Sequence, residues 1–83
     1  MKLNKIILRT DIILSVGTPA PGERGQVLVK QDGVGFHVVQ LPDGHLGNIV
    51  VEPHPNKTTL LEYIVDDTGI FWTSTILTPA DDI

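Results

Sequence analysis

Cysteine is absent from the 83 residues, which excludes a disulfide framework, a thiolate zinc site and a cysteine nucleophile. Serine occurs only at Ser15 and Ser74. Neither stands in the sharp Gly-x-Ser-x-Gly turn that presents a nucleophile, so a serine triad is not expected. The aromatic residues are Phe36, Tyr63, Phe71 and Trp72. Sheets that bind single-stranded nucleic acid stack bases on exposed aromatics beside basic side chains, and three of these four stand in the acidic half of the chain. Lys and Arg total 6 and form no cluster, so the electrostatic footprint of phosphate binding is missing and nucleic acid is disfavoured as a partner. No apolar run approaches the roughly 20 residues of a membrane-spanning helix, and no membrane association is expected. The apolar start of the chain is interrupted by Arg9, Thr10 and Asp11 with no small-residue cleavage site after it, so it is not read as a secretory signal and a cytoplasmic location is expected.

What is present fits a small globular protein. Hydrophobic residues make up 41%, above the range of disordered chains, and the length leaves room for one domain spanning residues 1–83 with one core and modest stability. The net charge is -4 and is unevenly spread. Lys2, Lys5, Arg9, Arg24 and Lys30 outnumber Asp11, Glu23 and Asp32 in residues 1–40, whereas Lys57 alone opposes Asp43, Glu52, Glu62, Asp66, Asp67, Asp81 and Asp82 in the remainder.

Short β-branched runs alternate with Gly, Pro, Asp and Asn, the pattern of an all-β domain. "KLNKIILRTDIILSVG" reads as one bent strand or two strands meeting near Thr10 and Asp11, although its apolar spacing also permits a helix. "TPAPGERG" is a loop. "QVLVKQDGVGFHVVQL" predicts a hairpin about Asp32-Gly33, with Val27, Val29, Phe36 and Val38 on the core face. "NIVVE" is a further short strand, and prolines hold "PHPNK" extended. "TTLLEYIVDDTGIFWTSTILT" predicts a second hairpin with a three-residue loop, Asp67 to Gly69. In that register Ile64 pairs with Trp72 and Leu60 with Ile76. The tail "TPADDI" reads as one helical turn with Thr78 as cap, or as a frayed end.

"PGERGQVLVKQDG", a Gly-x-x-Gly-x-Val lead-in to a strand, resembles the opening of SH3-like and KOW-type small barrels. It covers a fraction of the chain and assigns no family. The expected fold is a small antiparallel barrel or meander of five to six short strands, an SH3-like small barrel among them.

The three histidines, His37, His45 and His54, fall on a strand, a turn and a proline-rich loop. Zinc histidines usually come as close pairs on one element, so no metal site and no cofactor are expected. The carboxylate pairs Asp66-Asp67 and Asp81-Asp82 read as a solvated turn and tail, not as a catalytic dyad. "PGERG" and "DGVG" each lead into strands, whereas a phosphate loop opens a helix.

The expected activity is therefore not enzymatic. The C-terminal hairpin carries apolar side chains on both faces, and a small domain buries only one. Trp72, Ile64, Leu60, Ile76 and Glu62 are the expected contact residues for another protein, as an inhibitor for example, or for a second copy in a homo-oligomer. Glu62 needs Lys5 or Arg9 if the N-terminal segment covers this face instead. The alternative is a small barrel binding nucleic acid or a small anionic ligand through Arg9, Arg24 and Lys30.

Overall fold

The structure, a computed structural model, describes residues 2–14 and 19–77, with side chains from residue 4 onward. The expected tail conformation lies outside the described residues. Six strands form among the described residues, β1 Lys2–Leu8, β2 Ile12–Ile13, β3 Arg24–Gln31, β4 Val39–Gln40, β5 Thr58–Asp66 and β6 Gly69–Ile76. The described residues contain no helix. The all-β expectation holds, and the N-terminal segment breaks into two strands on either side of Arg9 to Asp11, as its charged interruption implies.

The strands make a four-stranded sheet in the order β1-β3-β5-β6 and a two-stranded sheet of β2 and β4. The expected antiparallel barrel or meander is corrected on two counts: the sheet does not close into a barrel, and it is not wholly antiparallel, because β1 runs parallel to β3 and β2 parallel to β4. β3 is central, with β1 on one edge and β5 on the other. Its burial alternates, so that Gly25, Val27, Val29 and Gln31 face inward. Leu61, Tyr63 and Val65 of β5 and Trp72 of β6 extend that inner face. Leu14, which follows β2, and Val39 of β4 close over it, with Ile12, Leu41, Ile49 and Val51 packed alongside. The parallel β1-β3 pair demands a crossover, and β2 lies within it, which carries the chain from the sheet into the second layer.

A strand has two edges, and both edges of β3 are occupied, so the predicted hairpin about Asp32-Gly33 does not form. The Asp32 carboxylate turns the chain instead, accepting from the backbone N–H groups of Val34 and Gly35, each at 3.0 Å. Phe36 and Val38, expected in the core, are 62% and 52% exposed. Phe36 has φ 62°, a left-handed conformation uncommon for a bulky residue, and its N–H donates to the Pro53 carbonyl at 2.6 Å. "NIVVE" forms no regular strand. It lies beside β6, where the Val50 N–H donates to the Ser74 hydroxyl at 3.0 Å.

Gln31, with no exposed surface, replaces the missing hairpin bonds. Its amide nitrogen donates to the His37 carbonyl at 2.9 Å and the Glu52 carbonyl at 3.2 Å, while its oxygen accepts from the His37 N–H at 3.1 Å. One side chain thereby ties two irregular segments to the end of β3.

The second hairpin forms, with its register corrected by one residue. Only Asp67 and Thr68 lie in the loop, so Tyr63 pairs with Trp72, Ile64 with Phe71 and Thr59 with Ile76. Asp66 sets the shorter turn, its Oδ1 accepting from the Thr68 N–H at 2.7 Å, the Thr68 hydroxyl at 2.6 Å and the Gly69 N–H at 3.0 Å. A one-residue shift moves every β6 side chain to the other face. Trp72 is thus 2% exposed and packs with Tyr63 at a ring-centroid distance of 5.0 Å. Replacing it by alanine is expected to lower unfolding stability by about 3–5 kcal/mol, read from the urea midpoint, as truncation of a core aromatic does.

Candidate functional site

The side of the four-stranded sheet away from the core has no layer over it among the described residues. The strand pairings place its side chains in rows. Ile7 stands beside Lys30 and Thr58, and Lys5 beside Leu28, Leu60 and Thr75. Gln26 stands beside Glu62 and Thr73, and Arg24 beside Ile64 and Phe71. Ile7 is 56% and Ile64 45% exposed, while Leu28, Leu60 and Phe71 are half-buried by their neighbours. Two grooves mark the ends of this face. One, of about 300 Å³, is lined by Arg24, Glu62, Ile64, Phe71 and Thr73. The other, of about 350 Å³, is lined by Lys5, Ile7, Leu28 and Lys30.

The charges on the face are segregated. Lys5, Arg24 and Lys30 lie on β1 and β3, and Glu62 and Asp66 on β5. Glu62 Oε2 accepts from the Gln26 amide at 3.2 Å. Among the described residues none of Lys5, Arg24, Lys30 and Glu62 joins an ion pair. The alternative cover by the N-terminal segment does not form among the described residues, since β1 joins the edge of the sheet and β2 crosses to the inner layer, and Glu62 meets Gln26 rather than Lys5 or Arg9.

Of the expected contact residues, Leu60, Glu62 and Ile64 share this face. Trp72 is on the opposite side, and Ile76, 39% exposed, pairs with Thr59 at the end of the inner face. Arg24 and Lys30, expected for an anion, lie on the same outer face as Ile64, whereas Arg9 is exposed in the bend after β1. Sequence reasoning missed Phe71, which the register shift brings out beside Ile64, and Ile7 and Leu28. These two become neighbours of the hairpin only through the pairing of β1 and β5 with β3, which no local pattern encodes.

The histidines serve three separate partners. His37 Nε2 lies 3.0 Å from Asp32 Oδ1, His45 Nδ1 accepts from the Trp72 indole N–H at 2.9 Å, and the His54 ring contacts the Glu52 carboxylate. The described residues hold no group of three or more His, Cys, Asp or Glu arranged for a metal. They also hold no helix long and apolar enough to cross a membrane.

The chain matches no family model, no curated protein and no solved structure. Its own geometry therefore carries the functional reading.

Two turn carboxylates are depressed below the ordinary value. Asp66 is lowered by the Thr68 hydroxyl first and then by the Thr68 and Gly69 N–H groups, against desolvation. Asp32 is lowered by the Gly35 N–H first, then by the Val34 N–H and the His37 ring, again against desolvation. A carboxylate whose folded pKa is below its unfolded value stabilises the fold above the unfolded pKa, and that contribution is lost as pH falls through the folded one. Urea midpoints measured from pH 7 downward should therefore show a constant advantage of wild type over Asp32→Asn until about pH 4, shrinking at lower pH.

Proposed function

We propose that this protein is a small non-enzymatic binding module whose contact surface for protein is the outer face of the four-stranded sheet. The observation that supports this is a set of large apolar side chains, Ile7, Leu28, Leu60, Ile64 and Phe71, on a face that no described segment covers. A solvated sheet face ordinarily alternates to polar residues, and exposed apolar surface rimmed by charge is the usual signature of a protein contact; here Ile7, Leu28 and Leu60 form one apolar group and Ile64 and Phe71 another, with the polar row of Gln26, Glu62 and Thr73 between them. Occlusion of a larger partner, the inhibitory form of such a module, is one use of a rigid face of this kind.

The alternative reading, a nucleic-acid or anion site, draws less support. Arg24 and Lys30 are six residues apart on β3, about 20 Å at the usual rise of a strand. Tyr63 and Trp72 are buried and have no face to offer a base. On this proposal the protein passes through a heparin column at low salt without delay, and salt-sensitive retention would favour the alternative.

Ile64→Glu tests the surface directly. Its side chain is 45% exposed, so the fold should survive with a loss of no more than about 1 kcal/mol. Tagged wild-type protein incubated in lysate of the source cells should retain a partner, or untagged copies of itself, that the variant loses. Equal recovery by both baits would refute the proposed surface.

A further inference from the structure

Resting on that reading of the face, we propose that its occupant is a second copy of this chain, in a weak two-fold dimer with the two sheets packed face to face. The distribution of charge argues for it. The β1-β3 side of the face carries Lys5, Arg24 and Lys30, and the β5 side carries Glu62 and Asp66. A surface that is basic along one side and acidic along the other is complementary to itself. A two-fold axis that runs along the strands between two such faces lays β1 and β3 of each copy over β5 and β6 of the other. Arg24 then approaches Glu62 and Asp66 of the second copy, and Gln26 stands over the second Glu62.

Lys5, Arg24, Lys30 and Glu62 make no ion pair within the chain among the described residues. A partner of uniform charge would match one half of the face and oppose the other, whereas a second copy sets Arg24 against Glu62 and Asp66 twice, with Lys30 over Thr58 and Lys5 over Thr75 at the end of the face. The apolar side chains are spread over all four strands, Ile7 on β1, Leu28 on β3, Leu60 and Ile64 on β5 and Phe71 on β6. Leu28 and Leu60 are direct cross-strand neighbours, so they stand near the centre, where two copies would exclude water from both.

The size of the face sets the strength. Strands of about eight residues at about 3.3 Å per residue, four across at about 4.8 Å, give roughly 500 Å² per copy. Two copies bury about 1,000 Å², the lower limit for a specific interface. The dimer should accordingly be concentration-dependent and sensitive to salt rather than permanent.

Sedimentation equilibrium of the purified full chain tests this with a charge exchange. Wild type should self-associate, about fivefold or more weakly at 0.5 M than at 0.05 M salt, because exposed charge pairs are screened. Arg24→Glu and Glu62→Arg should each weaken association about tenfold, each change acting twice across the two-fold interface. Mixed in equal amounts, the two variants should form a heterodimer at least as tight as the wild-type dimer. Thermal melts at low concentration establish that both variants fold. Wild type that stays monomeric at millimolar concentration, or variants that do not restore association when mixed, would overturn the dimer. A monomer whose tagged form still captures another protein in an Ile64-dependent way would retire the second copy alone and leave the binding face standing. Loss of both results would retire the face as well.

Discussion

The buried amide of Gln31 is the constraint on which the inner layer depends. An unpaired amide in an apolar interior costs several kcal/mol, and none of its bonds here is to solvent. Both the N–H and the C=O of His37 and the carbonyl of Glu52 are held by this one side chain, so the segments that leave and re-enter the sheet are fixed to the end of β3. Without it, His37 would lose both of its backbone bonds to the end of β3 and the Glu52 carbonyl its bond to the Gln31 amide, leaving the Phe36–Pro53 and Glu52–Thr59 bonds to hold the two segments. The hydroxyl of Thr59, also fully buried, holds the Glu52 N–H at 2.9 Å from the neighbouring strand.

From this follows an unequal division of the molecule. The inner face of the sheet is covered by irregular backbone stitched down by side chains, with the Trp72 indole satisfied by His45 and Gly47 lying against the Trp72 backbone. A Cβ at Gly47 would come within 2.4 Å of the Trp72 carbonyl oxygen, and its φ is +102°, so the approach requires glycine. All the described non-sheet backbone that packs on the core lies on this side. The outer face is left to its own side chains, and those are more apolar than a solvated sheet requires.

The sequence made some of this legible and could not reveal the rest. Alternation in β3 puts Val27 and Val29 on the expected core face, and the same period in β5 keeps Leu61, Tyr63 and Val65 on one side and Leu60, Glu62 and Ile64 on the other, because period-two patterning survives any choice of partner. The break at Thr10 and Asp11 was visible for the same local reason. The hairpin about Asp32-Gly33 was a strong local signal that lost to long-range pairing, since β1 had already taken the edge that its second strand would need. The error at Trp72 was smaller in cause and larger in effect. The choice between a loop of two residues and one of three turned on whether Gly69 or the Asp66 carboxylate shaped the turn, and Asp66 prevailed. That single residue of register decides which side of β6 is core, so Trp72 leaves the expected contact set and Phe71 enters it, while Leu60, Glu62 and Ile64 remain where the alternation of β5 puts them.

Charge reached the surface more faithfully than register did. The excess of bases in the first forty residues and of acids afterwards becomes, on the folded sheet, a basic side made by β1 and β3 and an acidic side made by β5. A sheet that places strands from the two halves of a chain side by side converts charge asymmetry along the sequence into polarity across a face. The edges behave differently from the face. β6 is paired over part of its outer edge by Leu46, whose N–H donates to the Ile70 carbonyl at 2.9 Å and whose carbonyl accepts from the Trp72 N–H at 3.0 Å. β1 carries the exposed charge of Lys5 on the opposite edge, a common protection against strand addition. With one edge partly occupied and the other charged, association through the backbone is disfavoured. That leaves the apolar, laterally polarised face as the surface the proposed contact would use.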